Sequence, residues 1–179
     1  MTTEVVVLVD AAGRPTGTAD KATVHTVDTP LHLAFSCYLD DGAGRVLLTR
    51  RALAKRTWPG VWTNACCGHP GPGEPAADAV VRRTRQELGC AVTDLQPVLP
   101  DFRYRAVDAA GVVENEVCPV FSATLVGELV PEPAEVAETT WVRWPALVAM
   151  AVGAPAVLSP WSVLQVTALD AAGWRPPGA

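Results

Sequence analysis

Glu114 and Glu116 stand two residues apart in the run Glu114-Asn115-Glu116-Val117. On a β-strand successive side chains alternate faces, so the two carboxylates would project together with Asn115 opposite them. Such a pair either forms a solvated strand face or gathers a cation. The three histidines, His25, His32 and His69, all fall in turn-rich or irregular stretches and not on an amphipathic stripe. Three imidazole nitrogens with carboxylate oxygens would suit Mn²⁺, Zn²⁺ or Mg²⁺, but histidines this widely separated carry no zinc-finger spacing. The residues alone leave a joint metal site and a set of unrelated polar groups both open. Five cysteines cannot all pair, and Cys66 and Cys67 are neighbours, a poor geometry for a bridge. All five are therefore read as reduced thiols. Cys37, Cys90 and Cys118 read as small buried hydrophobes, whereas Cys66 and Cys67 lie in the irregular, reactive stretch 63–70. A thiol titrating near ~8.5 can give or take a proton once its surroundings are tuned.

The elements that must position these groups follow from local pattern. Val5 to Asp10 reads as an opening strand, Asp10 to Gly13 as a turn, and a second short strand follows. The apolar run Leu31 to Tyr38, a turn at Asp40 to Gly44 and the run Arg45 to Thr49 read as a hairpin. Pro75 suits a first helical turn, Ala76, Ala79, Val80, Thr84 and Leu88 fall at three- and four-residue spacing, and Gly89 fits the position just past the helix end. Phe102 to Val107 and Gly111 to Ala123 read as a second hairpin turning at Asp108 to Gly111. Pro131 to Glu138 reads as an acidic loop, Thr140 to Trp144 as a strand and Pro145 as a helix start. Ser159-Pro160-Trp161 opens a last helix with Val163, Val166 and Leu169 on its apolar face, and the tail from Ala171 reads as loose. Strands with segregated helices predict an α+β sandwich and not a repeating βαβ sheet.

A chain of 179 residues is expected to form a single domain over 1–179. Its composition is 49% hydrophobic and 18% charged, with no run as long as the roughly 18 apolar residues of a membrane span. The formal charge of −5, with 14 basic against 19 acidic residues and no basic run, argues against nucleic acid as a partner. Thr2, Thr3 and Glu4 precede the first apolar run, so no basic leader region is expected, and the chain is placed in the cytoplasm with no membrane partner.

Gly68, Glu74, Arg82, Glu87 and Gly89 match the spacing of the Nudix box, a loop–helix unit that holds magnesium near a diphosphate. Where the hydrolases of that superfamily carry two further glutamates, this chain has Arg83 and Gln86. Losing two carboxylates removes charge that would gather several Mg²⁺ ions and help to activate water, so hydrolysis is disfavoured. Further blocks are Thr49 to Ala52, Trp58-Pro59-Gly60-Val61-Trp62-Thr63, Asn64-Ala65-Cys66-Cys67-Gly68-His69-Pro70, Asp101 to Arg105, Glu114-Asn115-Glu116-Val117-Cys118-Pro119 and Ser159-Pro160-Trp161. Together they resemble the bacterial type I isopentenyl diphosphate isomerases of the Nudix superfamily, from about Val5 to Leu169.

The resemblance implies a Nudix-type α/β/α sandwich with mixed sheets flanked by helices, a core over about 30–165 and an N-terminal extension that contributes metal ligands. It implies interconversion of isopentenyl and dimethylallyl diphosphate in isoprenoid biosynthesis, by protonation and deprotonation through a tertiary carbocation. Cys67 and Glu116 match the family's two proton-handling residues, Tyr104 the residue assisting the glutamate, and Trp161 the aromatic face that steadies the cation. His25, His32, His69, Glu114 and Glu116 match the ligands of one divalent ion, Mn²⁺, Mg²⁺ or Zn²⁺, and Glu87 matches the residue for a Mg²⁺ carried by the diphosphate. Lys21, Arg51, Lys55 and Arg83 match the basic contacts of the small allylic or homoallylic diphosphate, and a monomer is expected by analogy. Trp58, Trp62 and Trp161 are expected to wall a dry pocket, and Trp141, Trp144 and Trp174 to pack in cores. The competing expectations are a Nudix hydrolase acting on a nucleoside diphosphate derivative and a silent diphosphate-binding module.

Overall fold

The computed structural model describes residues 4–179; Thr2 and Thr3, on which the leaderless start rests, lie outside the described residues. The strands are β1 (Val5–Val9), β2 (Pro15–Asp20), β3 (His32–Leu33), β4 (Phe35–Asp40), β5 (Arg45–Arg51), β6 (Trp62–Thr63), β7 (Cys66–Gly68), β8 (Ala91–Leu99), β9 (Arg103–Val107), β10 (Val113–Val117), β11 (Val120–Val126) and β12 (Val136–Arg143). The helices are α1 (Ala76–Leu88), α2 (Trp144–Gly153) and α3 (Pro160–Ala171). One sheet runs β2-β1-β3-β10-β9; the other runs β12-β5-β4-β11-β8, with β6 attached to β5 and β7 to β4.

Both sheets are mixed because two stretches of chain cross from one to the other side by side. β3 lies parallel to β10 in the first sheet and β4 parallel to β11 in the second. The hydrogen bonds Ala34 N to Val117 O (2.9 Å) and Ser36 N to Pro119 O (3.1 Å) carry the pairing across the junction. The expected single strands at Leu31 to Tyr38 and Gly111 to Ala123 are therefore each split in two. Pro119 lacks an N–H for a ladder, which suits the point where the second stretch changes sheets.

The expected hairpin of β4 and β5 closes only near its turn, where Asp40 faces Val46. Beyond that pair the strands splay, and the segment 62–68 enters the gap, β6 bonding to β5 and β7 to β4. This wedge sets Cys67 opposite Ser36. The second hairpin, β9 with β10, forms around the expected turn Asp108 to Gly111.

The second sheet is packed on both faces, which makes the layers α/β/α. One face and α1 enclose a core of Phe35, Cys37, Leu39, Leu47, Val80 and Leu88; the other face, α2 and α3 enclose Tyr38, Leu48, Trp144, Leu147, Val166 and Leu169. The expected inner face of α1 is buried at Ala79, Val80, Thr84 and Leu88, and Arg83 and Glu87 are buried with it. Gly89 ends α1 in the left-handed conformation, with φ 65°. Ser159 caps α3 by accepting a hydrogen bond from Ser162 N.

Three expectations are corrected. β8 was not anticipated: its burial alternates poorly and it contains Pro97, which is tolerated because β8 is an edge strand. The strand expected from Thr140 begins earlier, at Val136, inside the predicted acidic loop, and ends at Arg143 so that Trp144 opens α2. The tail is docked, not loose: Trp174 packs edge-on to Trp144 at 4.8 Å, and Gly44 N donates to Pro177 O at 2.7 Å. Among the described residues no helix is long and apolar enough to cross a membrane.

Candidate active site

The junction of the two sheets opens into a cavity of about 510 Å³, lined among others by Lys21, His25, Arg51, Lys55, Cys67, His69, Arg83, Glu87, Tyr104, Glu114, Glu116 and Trp161. Of the thirteen residues singled out from the sequence as catalytic, metal-binding or diphosphate-binding, all but His32 line it, and His32 lies behind His69 and beside Glu116. The groups come from distant parts of the chain: His25 from the β2–β3 connection, His32 from β3, Cys67 from β7, Arg83 and Glu87 from α1, Glu114 and Glu116 from β10 and Trp161 from the start of α3.

His25, His32, His69 and Glu116 each offer a ligand atom within 4.8 Å of the others. The rings of His32 and His69 lie 5.1 Å apart, and their Nε2 atoms stand 3.5 and 3.4 Å from a Glu116 carboxylate oxygen. Those distances exceed a good hydrogen bond, and the buried His32 Nε2 and both ring nitrogens of His69 have no hydrogen-bond partner. Buried nitrogens left unpaired are costly, and four donor atoms converging on one point fit a metal ion better than they fit each other. His32 Nδ1 lies 2.9 Å from the Pro30 carbonyl, a contact of the kind that orients a metal-binding imidazole. Burial and the neighbouring imidazoles His69 and His32 push the His25 ring down to about 4, which keeps it neutral and able to ligate. Burial raises the Glu116 carboxyl, but the polar His32 and His69 rings facing it outweigh this and hold it well below the usual carboxylate range.

Glu114 shares the cavity but stands outside that four-residue cluster. Its Oε2 accepts from the Tyr104 hydroxyl at 2.7 Å and its Oε1 from Thr57 Oγ1 at 3.1 Å. Tyr104 thus bonds Glu114 and not Glu116. Alternation does put both carboxylates on one strand face, but two residues of rise separate their Cα atoms by roughly 6.6 Å, so the side chains reach different partners. Burial and the Glu116 charge raise the Glu114 carboxyl to about 7.

The Cys67 thiol lies 3.1 Å from Asn64 Oδ1 and 3.4 Å from Ser36 Oγ. Burial pushes it up to about 12, against the opposing effect of the Ser36 and Asn64 contacts. Cys66 turns away into the α1 core with Cys37 and Cys90, while Cys118 joins the apolar group behind the cavity with Ala34, Tyr104 and Trp161. All five thiols are free.

Trp161 is buried, with Tyr104 at 5.8 Å, Trp58 edge-on at 5.4 Å and the Arg51 guanidinium 5.7 Å above its ring. Arg51 also donates to the carbonyls of Thr57 and Trp58, bracing a turn in which Trp58 has φ 44°, an unfavourable value for a bulky side chain. Trp58 backs Trp161 and does not face the cavity, and Trp62 packs with the α2–α3 core instead of walling the pocket. Trp144 and Trp174 pack in that same core, and Trp141 against the α1 core.

Lys21, Lys55 and Arg83 are paired. Lys21 Nζ meets Glu4 at 2.6 Å, Lys55 meets Glu135, and Arg83 meets Glu87 as well as Glu135 at 3.5 Å. Burial lowers the Lys55 ammonium to about 8. Asn64, Ser36, Thr57 and Glu135 were given no role from the sequence; Asn64 lies inside a quoted motif, but nothing local marks the other three.

A match to the NUDIX domain covers residues 30–161, so the chain belongs to the NUDIX family. Solved structures agree on the fold: a Deinococcus radiodurans protein superposes with a TM-score of 0.72 at 15% identity, covering 92% of this chain and 98% of that one. A MutT NUDIX hydrolase from Burkholderia pseudomallei superposes with a TM-score of 0.60 at 23% identity, covering 76% and 96%. Within that class the chain belongs with the isopentenyl-diphosphate Delta-isomerases. Proteins of that name are 63% identical in Mycolicibacterium vanbaalenii, covering 96% of this chain and 94% of the relative, and 62% identical in Frankia alni, covering 93% and 86%. The relative in Leifsonia xyli subsp. xyli is 57% identical, covering 98% and 96%. His25 precedes the matched residues 30–161.

Proposed function

We infer that this chain is an isopentenyl-diphosphate isomerase that interconverts isopentenyl and dimethylallyl diphosphate, with Cys67 and Glu116 as its two proton-handling groups. The observation that carries the assignment of residues is one cavity holding a thiol, a carboxylate, an indole face and four basic side chains together.

The reaction adds a proton to the terminal alkene carbon, leaving a tertiary cation at the branched carbon, and removes a proton from the carbon on its other side. One group donates and the other accepts, and their roles exchange when the reaction runs backwards. The Cys67 sulfur and a Glu116 oxygen are the pair, acting from opposite sides of the five-carbon chain. Tyr104, through its hydroxyl on Glu114, keeps this carboxylate pair ordered. The Trp161 face offers the cation electron density without a nucleophile, an attraction of roughly 0.5–2 kcal/mol in a dry site. Trp161, Tyr104 and their apolar backing exclude the water that would quench it. Lys21, Arg51, Lys55 and Arg83 bind the diphosphate oxygens.

His25, His32, His69 and Glu116 hold one divalent ion, Mn²⁺, Mg²⁺ or Zn²⁺, with Glu114 as the carboxylate next to it. Bound there, such an ion supplies positive charge that fixes the carboxylate and sets its proton affinity. Glu87 serves a Mg²⁺ that arrives with the diphosphate. The fold forms one domain, with the N-terminal segment supplying Lys21 and His25, and the enzyme acts as a cytoplasmic monomer. Hydrolysis is disfavoured, since Arg83 and Gln86 leave α1 with Glu87 as its buried acidic group.

Conversion of isopentenyl diphosphate in metal-supplemented buffer, followed by the appearance of the dimethylallyl methyl signals in proton NMR, tests the assignment. Release of phosphate without isomer, or tight binding without turnover, would overturn it.

A further inference from the structure

Behind the Cys67 sulfur lies a network of fully buried polar side chains that the proton chemistry above does not use. Asn64, Ser36, Gln165 and Tyr38 are all 0% exposed. Burying polar groups is costly unless each finds a partner, and here the four side chains find their partners in one another and in nearby backbone.

One end of the Asn64 amide lies 3.1 Å from the Cys37 carbonyl and 2.8 Å from the Cys66 carbonyl. Carbonyls only accept, so that end is the NH₂ and both its hydrogens are used. The other end is therefore the oxygen. It accepts from Trp161 Nε1 at 3.1 Å and from the Thr63 hydroxyl at 2.8 Å, and it faces the Cys67 sulfur at 3.1 Å.

Gln165 bridges two hydroxyls: the Tyr38 hydroxyl donates to Gln165 Oε1 at 3.2 Å, and the amine end of Gln165 donates to Ser36 Oγ at 2.9 Å. Having accepted that hydrogen, Ser36 directs its own to a sulfur, with Cys67 at 3.4 Å and Cys118 at 3.5 Å. The Cys67 sulfur thus meets a fixed acceptor on one side and a hydroxyl on the other.

We propose that Ser36 and Asn64 are positioning residues for the isomerisation, clamping the Cys67 sulfur between a hydroxyl donor and an amide oxygen so that its remaining direction faces the five-carbon chain. The same Asn64 oxygen fixes the Trp161 indole, so thiol and cation-stabilising ring are set by one atom. As a thiol the sulfur can donate to the Asn64 oxygen, and as a thiolate it can accept from the Ser36 hydroxyl, so a partner is at hand in either protonation state. This inference rests on Cys67 being the reacting thiol.

The test measures kcat, KM and Tm for the unchanged chain, Ser36→Ala, Ser36→Thr and Cys118→Ala. Ser36→Ala should lower kcat about 10-fold, the value of one hydrogen bond, with KM within about twofold. Ser36→Thr, which restores the hydroxyl, should recover most of that loss, and Cys118→Ala should stay within about twofold of the unchanged chain. Asn64→Leu, similar in volume, should lose more, about 30-fold or beyond, because sulfur and indole are both released. Should it fail to fold, the Ser36 pair decides. Ser36→Ala turning over at the normal rate, or Ser36→Ala and Ser36→Thr falling alike and in step with Tm, overturns the clamp. An unchanged chain without isomerase activity, or an active Cys67→Ala, would instead remove the reading on which the clamp rests.

Discussion

Two adjacent cysteines offer a sharp test, because β7 sends their side chains to opposite faces. Both border the cavity, but Cys66 packs in the α1 core and is 2% exposed, whereas Cys67 turns to Asn64 and Ser36. Cys66→Ala deletes one buried sulfur, comparable to a methylene with a small cavity left behind, at a cost of about 1 kcal/mol. For a chain of this size that lowers Tm by roughly 2–4 °C and leaves turnover nearly intact. Cys67→Ala deletes a proton-handling group, worth about 10²- to 10⁴-fold in kcat, or roughly 3–5 kcal/mol of barrier. Its stability should change little, since Asn64 Oδ1 keeps Trp161 and Thr63 and Ser36 keeps Gln165 and Cys118. The assay is proton NMR of the dimethylallyl methyl signals alongside thermal unfolding of each variant. Equal turnover by the two single variants, or a stable and active Cys67→Ala, would refute the reasoning.

Metal removal should loosen the N-terminal segment, since His25 joins a cluster otherwise carried by β3, β10 and the end of β7. Chelation is expected to speed proteolysis between Asp20 and Leu31, and Mn²⁺ at about 100 times its Kd should restore roughly 2.7 kcal/mol; unchanged cleavage would count against the site. Lys55 is lowered to about 8, so its charge is present below that pH and lost above it. KM for the diphosphate should therefore rise as pH passes through 8, a rise that Lys55→Arg should abolish. Trp161→Phe keeps an aromatic face but loses the indole bond to Asn64, so kcat should fall about 5- to 30-fold with little change in KM. Gly89→Ala forces a left-handed residue and a Cβ 2.7 Å from the Val130 carbonyl oxygen, and should cost about 1–2 kcal/mol in thermal unfolding.

The parts legible in the sequence were those written in local spacing. The inner face of α1 and the shared face of Glu114 and Glu116 follow from periods of 3.6 and 2, and the Gly89 end of α1 and the Ser159 start of α3 from cap chemistry. Period alone could not reveal that the run from Gly111 changes sheets at Pro119, because strand-like residues continue on both sides of it. β8 was hidden by Pro97, which argues against a strand until its edge position is known. The tail was misjudged because its docking depends on Trp174 meeting Trp144, thirty residues earlier. The site residues were reached through family resemblance, whereas their supports were not. Asn64 meets Trp161 across 97 positions and Gln165 meets Ser36 across 129, pairings that no window of sequence encodes.

The ion pairs around the cavity bear on how an anion is captured. Lys21, Lys55 and Arg83 each already face a carboxylate, from Glu4, Glu135 and Glu87, in a chain whose formal charge is −5. Arg51 and Arg56 also line the cavity and join no ion pair among the described residues, so a diphosphate approaching from bulk solution meets two open guanidiniums and not a broad basic funnel. Capture becomes an exchange of counterions at the cavity mouth, in which phosphate oxygens displace side-chain carboxylates one cation at a time. An anion with too few oxygens to complete that exchange would leave carboxylates and cations still paired, so discrimination against monophosphates is built into the closed pairs themselves.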